Sequence, residues 1–170
     1  MDLRYPIGKF EYPEAVAPAQ LAQAIEEIAA LPGQMRAAVA GWSDAQLDTP
    51  YRPEGWTVRQ VVHHTADSHM NSYVRFRLAL TEDEPTIKPY KEALWAELTD
   101  GRSAPVEVSL ALLDALHERW VMLLGGMSDR DFARAFRHPD RGLVRLDVTA
   151  LLYAWHGRHH LAHITGVQAT

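Results

Sequence analysis

The sequence predicts an all-α protein, an antiparallel four-helix bundle with short extra helices in the connections. Helix formers such as Ala, Leu, Glu, Gln and Arg fill the periodic segments, whereas runs of β-branched residues are short. Four long segments repeat apolar residues at helical spacing. Residues 41–47 and 126–132 also echo each other, and each is followed by a proline, a loop and a long histidine-bearing segment. Two such helix–loop–helix halves fit a bundle whose second and fourth helices bring their histidines together.

Length and composition narrow the class of protein. A chain of 170 residues that is 47% hydrophobic suits one domain, residues 1–170, with a full core. A net charge of -5 with scattered Lys and Arg argues against nucleic-acid binding. The lack of cysteine excludes disulfides, thiolate metal sites and a cysteine nucleophile, and suits a reducing compartment. Because the sequence has neither a signal-peptide pattern nor a membrane-length apolar run, we expect a cytoplasmic protein without a membrane partner.

The first half begins with an extended arm, residues 1–17, that we expect to pack on the body. The first long helix starts near Ala19, is kinked or broken at Pro32, and stops at Gly41. A capping box at Ser43 opens a short helix, which Thr49-Pro50 ends.

A second capping box, Thr57-Val58-Arg59-Gln60, opens the second long helix, which runs to about Leu80. Residues 82–90 form a loop, residues 92–98 a short helix, and residues 101–105 another loop.

The second half starts with a long helix whose apolar residues follow an alternating four–three spacing and which ends at Gly125-Gly126. Ser128 opens a short helix that His138-Pro139 closes, and residues 140–142 form a turn. Asp147 caps the last long helix, which ends near Thr165-Gly166.

Histidines are concentrated on the second and fourth long helices. His156, His160 and His163 share about 60° of one helical face, and a His-x-x-x-His pair can reach one cation. A third ligand must come from elsewhere, and residues 61–69 are the other histidine-rich stretch. There, His64 belongs to a polar stripe that either faces water or lines a cleft between helices. The stripe contains Gln60, Asp67, Ser68, Asn71 and Arg75.

The two histidine stretches resemble motifs of the DinB/YfiT-like superfamily, most closely its YfiT branch. The motifs are Gly55-Trp56-Thr57-Val58-Arg59-Gln60-Val61-Val62-His63-His64-x-Ala66-Asp67-Ser68-His69-Met70-Asn71 and Tyr153-x-Trp155-His156-x-x-His159-His160-x-Ala162-His163-Ile164. Tyr5-Pro6-Ile7-Gly8, residues 47–52 and His138-Pro139 extend the likeness over nearly the whole chain.

The resemblance implies a four-helix bundle with one divalent metal ion per chain, zinc or nickel, often as a homodimer. It implies His64, His156 and His160 as the metal ligands. The branch has been described as metal-dependent hydrolases and is similar to bacterial thiol S-transferases that use bacillithiol.

Three imidazole ligands leave the charge of the cation in place and a coordination position open, as in catalytic sites. A small-molecule thiol could become a thiolate there and attack an electrophilic substrate, which makes a thiol S-transferase the first hypothesis. Activation of water would give a hydrolase instead. The third hypothesis is a non-catalytic metal-binding bundle whose fourth position is closed by His163 or Asp67.

Neighbouring residues receive predicted roles as well. Asp67, Ser68 or Asn71 would accept the second N–H of a metal-bound histidine. Arg75 would bind an anionic part of a substrate or form a salt bridge in the bundle. His69, His117 and His138 are predicted to be structural. An ordinary histidine pKa of about 6.5 predicts that protons weaken metal binding between roughly pH 7 and 5.

Overall fold

The computed structural model describes residues 2–168, without the side chain of Gln168. In chain order, its elements are α1 (Pro18–Ala38), α2 (Asp44–Leu47), α3 (Val58–Thr81), α4 (Glu92–Trp95), α5 (Thr99–Ser103), α6 (Val106–Gly125), α7 (Asp129–Phe132), β1 (Ala135–His138), β2 (Gly142–Arg145) and α8 (Leu146–Gln168).

The four long helices, α1, α3, α6 and α8, form a closed ring. Helix α1 packs against α8 and α6, and α3 packs against the same two helices. The order around the ring is therefore α1, α8, α3, α6, which places α1 diagonally opposite α3. The predicted four-helix bundle is confirmed, and the two histidine-rich helices, α3 and α8, lie side by side.

The helix starts follow the predicted capping chemistry. The hydroxyls of Ser43, Thr57 and Ser128 each accept a hydrogen bond from the backbone N–H three residues later. The last long helix differs, because α8 begins at Leu146 and Asp147 lies inside its first turn. Strand β2 ends at the residue before α8, so no loop position is left for a cap.

Pro32 lies inside α1 without breaking it, because the helix is continuous from Pro18 to Ala38. Proline has no N–H, so the carbonyl of Ile28, four residues earlier, receives no donor from its own helix. That carbonyl instead accepts a hydrogen bond from Nδ1 of His117 on α6, at 2.6 Å. A side chain from a neighbouring helix thus satisfies the carbonyl that the proline leaves free.

The connection between α7 and α8 was predicted to be a helix and a turn, but it contains a β-hairpin. Phe136 of β1 faces Val144 of β2, and both are buried against the bundle. Arg137 also exchanges backbone hydrogen bonds with residues 85–87 of the preceding loop. Each strand has only four residues, too few for an alternating pattern to stand out in the sequence.

Two shorter stretches also differ from the prediction. Helix α4 ends at Trp95, and a separate helix, α5, occupies part of the region predicted to be a loop. Gly101 of α5 is buried, and a Cβ there would approach the backbone oxygens of Trp95 and Ala96 to 3.1 Å. Close packing of α5 against the end of α4 therefore requires Gly at this position, and α5 also packs on α3. These packing contacts select the helix against the weak helix preference of Gly.

The apolar core has two parts with a polar layer between them. One part surrounds Trp120 and Phe76, and the other surrounds Leu113 and Val61. In sequence, His69 of α3 falls between Ala66 and Tyr73, and the histidines of α8 fall between Ala154 and Ile164, so each lies between residues of the two parts. The polar layer contains His64, His69, His117, His156, His160 and His163.

The N-terminal arm, residues 2–17, contains no helix or strand and packs on α8. The ring of Tyr5 lies 6.0 Å from that of His159, and the ring of Phe10 lies 6.0 Å from that of Trp155. Across the described residues, 2–168, none of the helices combines the length and the apolar character needed to span a bilayer.

Candidate metal centre

The three histidines that the resemblance implies as ligands lie together in the polar layer. His64 on α3 and His156 and His160 on α8 each place a ring nitrogen within 4.8 Å of the other two. The Nε2 atoms of His156 and His160 are 3.2 Å apart. The four-residue spacing puts the α8 pair on one face, and packing of α3 on α8 brings His64 to it.

The donor set fits a divalent cation. With metal–nitrogen bonds of about 2.0–2.1 Å, tetrahedral coordination places two ligand nitrogens about 3.3–3.4 Å apart. The observed separation of 3.2 Å between the His156 and His160 nitrogens is close to that value. Imidazole suits zinc, nickel, copper and iron, so the donor set alone does not select among them.

Burial keeps these histidines neutral. Desolvation, followed by the charges of His159 and His163, lowers the pKa of His64 to about 4. The pKa values of His156 and His160 are lowered well below the ordinary value, mainly by desolvation and then by the other histidines. Metal ligation requires unprotonated imidazole, so the three rings are in the competent form at neutral pH.

The trio opens into a cleft of about 490 Å³, within the usual size range for small-molecule sites. His64, Ser68 and Arg75 of the predicted polar stripe line this cleft. Gln60 does not, because its amide donates to the carbonyl of Ala96. Of the two interpretations of the stripe, the cleft between helices is the one that the structure supports.

The cleft is basic although the chain carries a net charge of -5. Four arginines line it, against a single carboxylate, Glu92, among the described residues. The four arginines are Arg4, Arg52, Arg75 and Arg141. A concave surface of one charge sign concentrates ligands of the opposite sign, here anions.

Arg75 is the arginine best placed to meet a ligand. Arg4 pairs with Asp2, Arg52 donates to the carbonyl of Pro53, and Arg141 donates to the hydroxyl of Tyr12. Arg75 is half-buried in the cleft wall and makes no hydrogen bond or ion pair within residues 2–168. The predicted alternative of a bundle salt bridge therefore has no partner in the described part of the chain.

Among the described residues, none of the three predicted partners accepts the second N–H of a ligand histidine. Ser68 Oγ lies 3.4 Å from Nε2 of His156, the nitrogen that faces His160 and not the outer one. Asn71 instead donates to the backbone carbonyl of Asp67. Neither Asp67 nor His163 belongs to the nitrogen cluster of His64, His156 and His160, so the described residues supply no fourth protein ligand there.

The outer nitrogen of His156, Nδ1, contacts His69, which was predicted to be structural. Its Nε2 lies 3.1 Å from Nδ1 of His156, and its Nδ1 lies 2.9 Å from Nε2 of His117. His69 is five positions after His64, about 140° away around the helix, so it falls off the predicted stripe. One feature of the sequence could have indicated this contact. His69 lies on the apolar side of α3, and an imidazole buried among apolar residues needs a polar partner.

Two further histidines of the cleft, His159 and His163, lie beside His160. Nδ1 of His163 lies 3.3 Å from Nδ1 of His160, and its ring stacks on Tyr51 at 4.0 Å. His159, His160 and His163 form a second group of ring nitrogens within 4.8 Å of one another. His63 points elsewhere, towards Ser109 Oγ and the carbonyl of Ala104.

Comparison with known proteins agrees with the motifs. The sequence pattern of the DinB superfamily matches residues 19–164. A protein of Bacillus cereus (strain B4264) named "putative metal-dependent hydrolase" is 56% identical over 167 residues, which cover 98% of this chain and 96% of that protein. The names of such relatives describe metal-dependent enzymes.

Solved structures give the same answer. YfiT from Bacillus subtilis, described as "a probable metal-dependent hydrolase with an unusual four-helix bundle topology", matches with a TM-score of 0.96 and 48% identity, over 99% of this chain and 97% of YfiT. TT2238, a four-helix bundle protein, matches with a TM-score of 0.59 and 22% identity, over 88% of this chain and 99% of TT2238. The second likeness concerns the fold alone. The resemblance seen in the motifs is confirmed, and the chain belongs to the DinB superfamily.

Proposed function

We propose that this protein is a metal-dependent enzyme that transfers a low-molecular-weight thiol to an electrophilic substrate. The proposed ligands of its one metal ion, zinc or nickel, are His64, His156 and His160. The observation that carries the proposal is the basic cleft, which opens onto three neutral histidines. This arrangement suits an anionic thiol.

A divalent cation at this site would supply Lewis acidity, which lowers the pKa of a thiol or of water. In the proposed transfer, the thiol loses its proton to solvent and its sulfur forms a bond to the electrophilic carbon. The bond from that carbon to the leaving group breaks, and the leaving group departs with the electron pair. No electron acceptor or donor is needed.

The residues of the chain would bind and orient the reactants. Arg75 would hold an anionic group of the thiol through a charge-assisted hydrogen bond. The aromatic rings of Tyr51, Trp56 and Trp155 line the cleft and would exclude water around an apolar electrophile. Ser68 Oγ, close to His156, would donate a hydrogen bond to a reacting atom bound beside the trio.

Hydrolysis is the second candidate, because relatives of this chain carry the name of metal-dependent hydrolases. Hydrolysis of an amide also needs a proton for the leaving amine, which a carboxylate or histidine near the metal commonly provides. Glu92 is the one carboxylate among the described residues that line the cleft. His159 and His163 also line the cleft, so an acid is available to either reaction. We place transfer of a thiolate first because the basic cleft suits an anionic thiol.

The test is to incubate the metal-loaded protein with a bromoalkyl fluorophore, with and without glutathione, bacillithiol or cysteine, and to quantify the thioether by chromatography. We expect thiol-dependent product above the uncatalysed rate. His156→Ala should lose the enzymatic product, whereas His63→Ala, a change of a histidine that points away from the cleft, should retain it. Turnover of esters or amides without any thiol, and no thioether above background, would favour the hydrolase instead.

Two further predictions accompany this proposal. Elemental analysis of the purified protein should find about one zinc or nickel ion per chain, and light scattering should give the mass of a homodimer.

The third hypothesis, a non-catalytic metal-binding bundle, requires a closed fourth coordination position. X-ray absorption of the metal-loaded protein tests this hypothesis: four protein ligands and no coordinated water would show that the fourth position is closed.

A further inference from the structure

A line of three histidines connects the backbone of α1 to the candidate metal centre. The carbonyl of Ile28 lies 2.6 Å from Nδ1 of His117. Nε2 of His117 lies 2.9 Å from Nδ1 of His69, and Nε2 of His69 lies 3.1 Å from Nδ1 of His156. The line crosses three helices, from α6 through α3 to α8, and ends on a proposed metal ligand.

The Ile28 carbonyl fixes the proton at the first histidine. A carbonyl oxygen can only accept, so Nδ1 of His117 must carry the hydrogen in the bond between them. The carbonyl is free for this bond because Pro32 has no N–H to donate to it. His117 is 1% exposed and His69 is fully buried, and the hydrogen bonds described for their ring nitrogens go to a carbonyl and to other histidines, not to a carboxylate, so each ring is neutral with one proton.

The direction of the remaining bonds follows from that first proton. Nε2 of neutral His117 has a lone pair, so it accepts from Nδ1–H of His69. Nε2 of His69 is then an acceptor as well, and Nδ1 of His156 must donate to it. His156 is left with a bare lone pair on Nε2, the atom that lies 3.2 Å from Nε2 of His160.

The opposite direction fails at both ends of the line. It would place a lone pair on Nδ1 of His117 against the lone pairs of the Ile28 carbonyl, in a buried position without compensation. It would also put the proton of His156 on Nε2, where it would block coordination. The carbonyl selects one of the two possible proton arrangements.

We propose that His117 and His69 are positioning residues that hold His156 in the tautomer protonated at Nδ1, so that Nε2 faces the metal. This inference adopts His156 as a ligand from the proposed function. It assigns to Pro32 the role of freeing the carbonyl on which the line depends. Metal-binding histidines commonly donate their second N–H to a carboxylate or a carbonyl. Here His156 donates to a neutral histidine instead. The carbonyl that fixes its tautomer, that of Ile28, lies on a different helix and acts through His117 and His69.

The first test measures tautomers in the metal-free protein labelled with ¹⁵N-histidine, by two-bond ¹H–¹⁵N correlation spectra. We expect His117, His69 and His156 all to carry their proton on Nδ1. A proton on Nε2 of His156 in the wild-type protein would overturn the proposal, whether or not any variant folds. Because no metal is present, this result is independent of the proposed activity.

The second test compares two variants of His117. A Gln side chain can donate to the Ile28 carbonyl and accept from His69, so His117→Gln should keep the tautomer of His156 and nearly wild-type zinc affinity. His117→Leu removes the donor and the acceptor, and we expect zinc affinity to fall about 10- to 100-fold, the usual effect of losing a partner of a metal ligand. Affinity is measured by competition with a chromophoric chelator.

The outcomes separate the two proposals. If His156 is protonated at Nδ1 but zinc does not bind, the proposed metal site fails and the tautomer assignment stands. If zinc binds through the trio while His117→Leu changes neither the His156 tautomer nor the affinity, the role of His117 is refuted.

Discussion

Acidification should destabilise the metal-free protein, because its buried histidines are neutral only in the folded state. Burial lowers the pKa of His64, His159 and His163 to about 4 in the folded protein. In the unfolded chain, these groups titrate near the ordinary value of 6.5. The unfolded state therefore binds more protons between about pH 6.5 and 4, and the free energy of unfolding falls as the pH decreases through this window.

The size of the effect follows from these values. Lowering the pH from roughly 7.5 to 5.5 stabilises the unfolded state by about 1.3 kcal/mol for each such histidine, or about 4 kcal/mol for three. Asp67 opposes this, because desolvation raises its pKa to about 6, but it returns at most about 0.8 kcal/mol over the same range. These four groups alone give a net loss of about 3 kcal/mol, a large part of the 5–15 kcal/mol typical of a domain. His69, His156 and His160 add to it in the same direction, because burial lowers their pKa values well below the ordinary value.

Urea denaturation of the chelator-treated protein at a series of pH values measures this loss. A free energy of unfolding that stays within about 1 kcal/mol over that pH range would contradict the buried, neutral histidines described above.

The same pKa values revise the sequence-based expectation for the pH dependence of metal binding. Because the pKa of His64 is already about 4, proton competition should leave zinc affinity nearly constant down to about pH 5.

Three substitutions, two of them with a matched control variant, test other parts of the structure. His64→Ala should cause substantial loss of bound divalent metal in elemental analysis, whereas His63→Ala should retain it; equal retention by both would exclude His64 as a ligand. Arg75→Met should raise the KM for anionic thiols about 10- to 100-fold with little change for a neutral thiol, and the same rise for both would argue against anion binding. Gly157→Ala would place a methyl group 2.8 Å from Leu31 Cδ2 and should lower the free energy of unfolding by about 1–2 kcal/mol. Gly166→Ala, on the same helix with no atom within 4 Å of the added Cβ, should be neutral or stabilising in the same urea titration.

The parts of this fold that depend on local chemistry could be predicted from the sequence. The Thr57 capping box and the apolar periodicity located the long helices to within a few residues, and the Ser43 capping box located the short helix α2. The His-x-x-x-His spacing identified His156 and His160 as a pair, since that spacing alone puts two rings on one helical face.

The parts that depend on packing between distant segments could not be predicted. The hairpin that contains Phe136 is stabilised by backbone bonds to residues 85–87, which no local pattern indicates. His69 and His117 were predicted to be structural, because the sequence does not show which helices are adjacent in the ring. Their connection to His156 depends on that arrangement. Pro32 was read as a possible break, whereas its effect is to leave a carbonyl free for a residue on another helix.

The ring order of the helices has a consequence for biosynthesis. Helices α1 and α3 emerge first from the ribosome, yet they are diagonal partners that pack mainly on α6 and α8. A nascent chain that stops before residue 146 lacks α8, so the apolar faces of α1 and α3 that α8 would cover stay exposed. It also lacks two of the three proposed ligands. We therefore expect the bundle to close, and the metal to be acquired, only after α8 has been synthesised.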